Sequence, residues 1–351
     1  HCSRLQTLEI ADNTRIAGKI ESIAGCSQLK VIALGDTNIS GNLEGICRCR
    51  ELETLSLYRT KINGSFDYIG RCSRITKVDL FECKRLSGTL NGFASCTNLE
   101  LLNLAYTGAN GSLLPLNRCL NLRMLNLDHC TDIDHSTMKE LESCVKLQKI
   151  NLHGCRGIAG PRSESILEYD APSGTEQSLR FESPLRCLQI FNAYQYILRI
   201  NMEGCEHITG RLEPLGSCRL LRSLNLNRTS VFGSLAPLSN CKVLTELCLG
   251  FTDIEGPLGP LAKCKSLTML VVCFTKLHGA INPLSACRML TYIDLRKTRI
   301  FGNLDCLSKC TQIKALNLSY TELRGDLSSL NGCSDLVNLN LTFAKGISGI
   351  E

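Results

Sequence analysis

Apolar residues return at fixed intervals along almost the whole chain. With a recurring Cys taken as position zero, they fall at plus 3, plus 6 and plus 8, as in Leu244, Leu247 and Leu249 after Cys241. Alternation at plus 6 and plus 8 is the period of a short strand with one buried face. The zero position runs through Cys2, Cys26, Cys49, Cys72, Cys96, Cys119 and Cys144, then Tyr194, then Cys218, Cys241, Cys264, Cys287, Cys310 and Cys333. That makes fourteen units, thirteen of them opening with Cys. Beyond the strand the units divide in two. Eight carry Thr at plus 11 and Gly at plus 15, and are 23 residues long: Thr37, Thr60, Thr107, Thr229, Thr252, Thr275, Thr298 and Thr321 mark them. The other six carry Asn13, Cys83, Cys130, Cys155, Cys205 or Ala344 at plus 11, with the next apolar residue one place later. Their extra residue falls in the turn just after plus 11.

One such unit cannot bury its leucines alone, so neighbours must stack, their strands forming one parallel sheet. At about 4.8 Å per strand, fourteen units span roughly 65 Å. The repeat C-x-x-L-x-x-L-x-L-x-x-T-x-I-x-G-x-L-x-x-L resembles the leucine-rich repeat. Gly at plus 15 resembles the plant- or protist-like subclass, with Thr or Cys where Asn is usual and Cys in place of a core Leu. The resemblance implies an α/β solenoid: a curved array with a parallel sheet on the concave face and short turns, 3-10 or irregular segments on the convex face.

The chain has 351 residues and no Trp, and only 5% of it is aromatic, so aliphatic side chains must build the core. A small, polarisable thiol suits a core site stacked on copies of itself. The zero-position cysteines therefore predict a reduced packing ladder, and with it a reducing, cytoplasmic compartment. At plus 11 a small polar group is predicted to turn inward and satisfy backbone amides left over by the turn.

Between Cys144 and Tyr194 the spacing is about twice that of one unit. The chain is thus predicted to hold repeats 1–7 over 1–160, an insertion within repeat 7 over 161–186, and the end of repeat 7 with repeats 8–14 over 187–351. The insertion is rich in Ser, Pro and Glu. Neither end carries a recognisable cap, which predicts a fragment of one longer continuous solenoid.

Positions plus 5, 7, 9 and 10 are predicted to face the concave surface, where such arrays bind. Plus 10 reads Phe251, Phe274, Lys297, Tyr320 and Phe343 over its last five units. Met269, Val271 and Cys273 extend this apolar ground, and Tyr58, Arg59, Phe81 and Tyr106 add a smaller patch nearer the amino end. Exposed rings of this kind form protein-binding surfaces. Around the zero position a second feature emerges. Arg4, Arg48, Arg50, Arg71, Arg74, Arg118, Lys146, Arg219, Lys242, Lys263, Lys265, Arg288 and Lys309 are opposed only by Glu51 and Asp335, on a chain of formal net charge +6. Such an edge attracts an acidic protein or an anionic membrane surface. Nucleic acid is disfavoured, because no stacking aromatics interleave with the basic residues.

Phosphate-binding, dinucleotide, zincin and nucleophile-elbow motifs are lacking. No catalytic residue, cofactor or metal is predicted. Cys130, Cys155 and Cys205, near His129, His153 and His207, fall in the plus 11 series and read as structural filling. Six N-x-S/T sequons occur, and two of them, at Asn317 and Asn340, lie at plus 7, where a glycan would block the sheet. The pattern therefore predicts a non-catalytic scaffold or adaptor that binds a protein, alone or as a structural subunit of a larger assembly. The alternatives are the ligand-binding ectodomain of a cell-surface receptor and the substrate-recognition part of a multidomain enzyme.

Overall fold

Every unit places its plus 5 to plus 7 residues in a three-residue strand. A computed structural model describes residues 2–155, 187–344 and 346–349. Among them, fourteen such strands stack in chain order into one parallel sheet, from Thr7–Glu9 to Asn338–Asn340. Like pairs with like: Leu247 lies beside Leu270, and Leu270 beside Ile293. This register keeps every plus 6 side chain on the same face, so the whole apolar set is buried together. Lys149–Asn151 pairs directly with Arg199–Asn201, so the long seventh unit leaves the sheet unbroken. The insertion predicted at 161–186 lies outside the described residues.

Beyond plus 11 the chain enters a second strand, as in Lys276–Ala280 and Glu322–Asp326. These strands form a six-stranded parallel sheet in the amino-terminal half and a seven-stranded one in the carboxyl-terminal half. They add to the short turns and 3-10 segments that the pattern predicts there. Gly recurs at plus 15 within them, and Gly325, at φ 120°, holds a backbone conformation that any side chain would strain. A 3-10 turn such as Gly259–Lys263 then returns the chain to the next cysteine. Pro at its start costs no hydrogen bond, because that amide would be free anyway.

The core is continuous from unit to unit, and in the interior units leucines at plus 3, plus 6 and plus 8 are enclosed. In the final unit, stacked on one side only, the plus 6 residue Leu339 is 40% exposed against 1% for Leu316. The described cysteines are all free thiols. At position zero each thiol leans on a carbonyl of the preceding unit: Cys241 on Leu215 at 3.5 Å, Cys264 on Leu238 at 3.4 Å, Cys287 on Leu261 at 3.3 Å. The plus 11 side chains also meet carbonyls, not chiefly the amides predicted. Thr252 Oγ1 donates to Leu249 O at 2.6 Å, within its own unit. Cys155 Sγ reaches Leu127 O at 2.9 Å, in the unit before. The strand ladder stops at plus 7, so the plus 8 carbonyl lies beyond it and needs such a donor. A weaker amide contact survives in places, as from Ile39 N to Thr37 Oγ1 at 3.4 Å.

Candidate functional site: the rim of the large sheet

The residue at plus 7 sets the geometry of the rim. In most units it is Asn or Asp, and its side-chain oxygen accepts the plus 9 amide: Asn225 from Asn227 at 3.1 Å, Asp294 from Arg296 at 3.0 Å, Asn317 from Ser319 at 3.2 Å. This local turn, of the kind Asn and Asp favour, braces the strand end in those units; strands ending in Cys248 and Val271 stop at the same place without it. The plus 10 residue that follows is left-handed in every unit: twelve non-glycine residues have φ between 53° and 60°, and Gly154 and Gly204 complete the series. For a bulky side chain that conformation costs about 1–2 kcal/mol. It is held because the plus 10 amide still pairs with the next unit, as Phe251 N does with Cys273 O at 2.9 Å and Phe274 N with Arg296 O at 2.8 Å.

With a common backbone, the plus 10 side chains stack on one another. The Arg228 guanidinium lies 4.7 Å from the Phe251 ring centre. Phe251 and Phe274 stack at 4.5 Å with planes 14° apart. Lys297 Nζ sits between Phe274, at 5.0 Å, and Tyr320, at 5.2 Å. Tyr320 and Phe343 follow at 4.6 Å. Cation and ring alternate favourably here, because each ring face attracts the positive group above it. Phe251, Tyr320 and Phe343 remain 40%, 45% and 62% exposed.

The amino-terminal half is joined differently. Tyr58 hydrogen-bonds Asp12, and that bond pushes the phenol up to about 12. Arg59 pairs with Glu82 at 3.0 Å and covers Phe81. Phe81 meets Tyr106 edge-on, and Tyr106 stacks on His129 at 4.4 Å.

Of the residues singled out for the concave face, Met269 and Val271 lie within a strand, Met269–Val271, on the sheet surface. The plus 9 and plus 10 residues lie past the strand ends, so they form the rim rather than the floor predicted for them. Cys273 is buried and does not extend the apolar ground. The floor instead holds a groove of about 390 Å³ lined in part by Lys149, Asn151, Arg199, Asn201, Asn225 and Met269. Five successive units place Asn at plus 7, from Asn103 to Asn225. That run was visible in the sequence and marks both the turn and the polar floor.

Arg48, Arg50, Arg71, Arg74, Arg118, Arg219, Lys242, Lys263, Lys265, Arg288 and Lys309 are all exposed. They flank the junction between the 3-10 turn and the next strand, as at Phe66–Arg71 and Leu114–Arg118. Of these eleven, Arg74 is paired, with Glu51. Cys130, Cys155 and Cys205 are buried against carbonyls, apart from the rim histidines. No helix among the described residues is long and apolar enough to cross a membrane.

Neither a protein-family model nor a curated protein sequence matches the chain. Solved structures do. The plant peptide hormone receptor RGFR1, in complex with RGF2, is 21% identical with a TM-score of 0.72, over 97% of this chain and 55% of that one. The Arabidopsis receptor kinase HAESA, in complex with the peptide hormone IDA and the co-receptor SERK1, is 19% identical with a TM-score of 0.73, over 97% and 58%. An internalin from Listeria monocytogenes is 17% identical with a TM-score of 0.70, over 96% and 86%. The chain thus spans little more than half the length of these two plant receptor chains. At such identities the likeness is one of fold. Repeat and fold agree: the chain has the leucine-rich repeat fold, a curved solenoid of parallel strands.

Proposed function

We propose that the chain is a non-catalytic scaffold that docks a protein partner on the rim ladder from Arg228 to Phe343. The observation that carries this reading is the stack itself: exposed rings and cations already ordered by a fixed backbone and by one another. Side chains ordered in advance lose little freedom on binding, and large rings in such positions supply most of the affinity at protein interfaces. The basic edge is proposed to steer an acidic partner by long-range attraction. Free, buried thiols fit a reducing compartment.

A second reading, the ligand-binding ectodomain of a receptor, is favoured by the likeness to RGFR1 and HAESA, whose structures hold peptide hormones. Glycan on the sequons of the natural protein would support it over the first. For the ladder, the test is a pull-down with Phe251, Phe274 and Tyr320 replaced together by Ala. The partner should be lost, while Arg219→Gln with Lys242→Gln should weaken capture mainly at low salt. Full retention by the triple variant would overturn the assignment of the ladder as anchor.

A further inference from the structure

We infer that Asp128, His129 and His153 form a binding site for a divalent transition cation of the zinc type. It lies on the rim, in units six and seven, amino-terminal to the ladder proposed as a docking surface. Asp128 Oδ1 stands 2.6 Å from His129 Nδ1 and 3.0 Å from His153 Nδ1. One ligand atom from each residue falls within 4.8 Å of the others. Donors around a tetrahedral zinc at about 2.1 Å stand about 3.4 Å apart. Small rotations of three side chains that reach solvent would therefore admit a cation among them. Both imidazoles now donate Nδ1–H to the same carboxylate oxygen; on binding, each ring would carry its proton on Nε2 and present Nδ1 to the metal.

The surroundings favour this use. On one side Tyr106 stacks on His129 with planes 14° apart and fixes the ring. On the other, the plus 10 series is interrupted by glycine twice in succession. A Cβ on Gly154 would stand 3.3 Å from the His129 ring, and at Gly204 no atom lies within 4 Å of where a Cβ would be. Among the described residues the rim is thus open beside the two histidines. Two imidazole nitrogens and one carboxylate oxygen suit zinc, nickel or copper, whereas calcium and magnesium take oxygen donors. The buried thiols do not compete: Cys130 and Cys155 are engaged with carbonyls inside the core.

The reduced protein, stripped of metal by chelator, is titrated with zinc chloride by calorimetry and with cobalt chloride by absorption at neutral pH. One cation per chain is expected, with cobalt bands of nitrogen and oxygen ligation and no thiolate charge-transfer band. His129→Gln with His153→Gln, and separately Asp128→Asn, should weaken binding by at least about tenfold. These rim substitutions leave the core untouched, and unchanged circular dichroism checks the fold. Broadening of the His129 and His153 ring signals by cobalt in the unsubstituted protein reports on the same site without any variant. Absence of binding, undiminished binding in the variants, or a thiolate band would each overturn the assignment.

Discussion

The Tyr194 hydroxyl donates to the Leu141 carbonyl at 2.7 Å, taking the place that a thiol takes in other units. Cys144 leans on Leu116 in the same relation, three residues before the preceding cysteine. The phenol therefore does the work of the thiol with a stronger bond, and its ring fills the extra space beside Phe191 at 5.6 Å. Tyr194→Phe should keep the ring and orphan a buried carbonyl, costing about 1–3 kcal/mol in urea unfolding. Tyr194→Cys should cost more, about 3–5 kcal/mol, because it restores the usual residue but opens a cavity. Equal stability of the two variants would mean that the site collapses around the smaller side chain.

The plus 11 threonines make a parallel case. Thr252→Val preserves shape and removes the donor to Leu249, so the protein should lose about 1 kcal/mol. Thr252→Ser keeps the donor and should lose less. If Ser proves the worse of the two, the threonine methyl matters more than its hydroxyl.

How far this could be read beforehand follows from what each residue must do. Cys241, Leu244, Leu247 and Leu249 are legible because burial allows few residue types, and the period repeats that restriction fourteen times. Tyr194 could be placed in register for the same reason. The rim was misplaced because Phe251 and Phe274 were carried on as though the strand continued to plus 10. What turns the chain away is the left-handed backbone at plus 10, which Phe251 and Phe274 adopt with Cys248 and Val271 at plus 7, and which a bulky aromatic residue does not signal in sequence. The second strands were missed because their alternation is short: buried Leu277 and Leu323 sit between exposed neighbours, but Gly279 and Gly325 follow two places on, and the pairing is completed by stacking. His129 and His153 were visible, and Asp128 adjoins His129 in the chain, but His153 joins the pair only through the adjacency of two units.

The left-handed backbone at plus 10 can be separated from the stacking it supports. Phe274→Ala and Phe274→Gly remove the same ring contacts with Phe251, Arg296 and Lys297. Only Gly relieves φ 55°. The Gly variant should therefore be the more stable by about 1 kcal/mol, a reversal of the usual order for these two residues. Greater stability of the Ala variant would mean that the turn at this position carries no strain.

The thiol ladder makes stability depend on alkaline pH. Burial holds Cys49, Cys96, Cys144, Cys218, Cys264 and Cys310 at about 11, and Cys72, Cys119, Cys241 and Cys287 at about 12, against 9.0 for a solvated thiol. Below pH 9 these thiols are protonated in both the folded and the unfolded chain, so their contribution is complete. Above it the unfolded chain sheds protons that the folded one retains. Each thiol then removes about 1.4 kcal/mol per pH unit until its folded value is reached. Ten acting together would remove on the order of 14 kcal/mol per pH unit, so stability is expected to fall steeply between pH 9 and 11. Urea midpoints measured without oxygen should fall steeply from pH 9, and Cys264→Ala should reduce that slope by about 1.4 kcal/mol per unit. A midpoint that stays level to pH 11 would mean that the ladder thiols already ionise in the folded state, and the sealed interior described for them would be wrong.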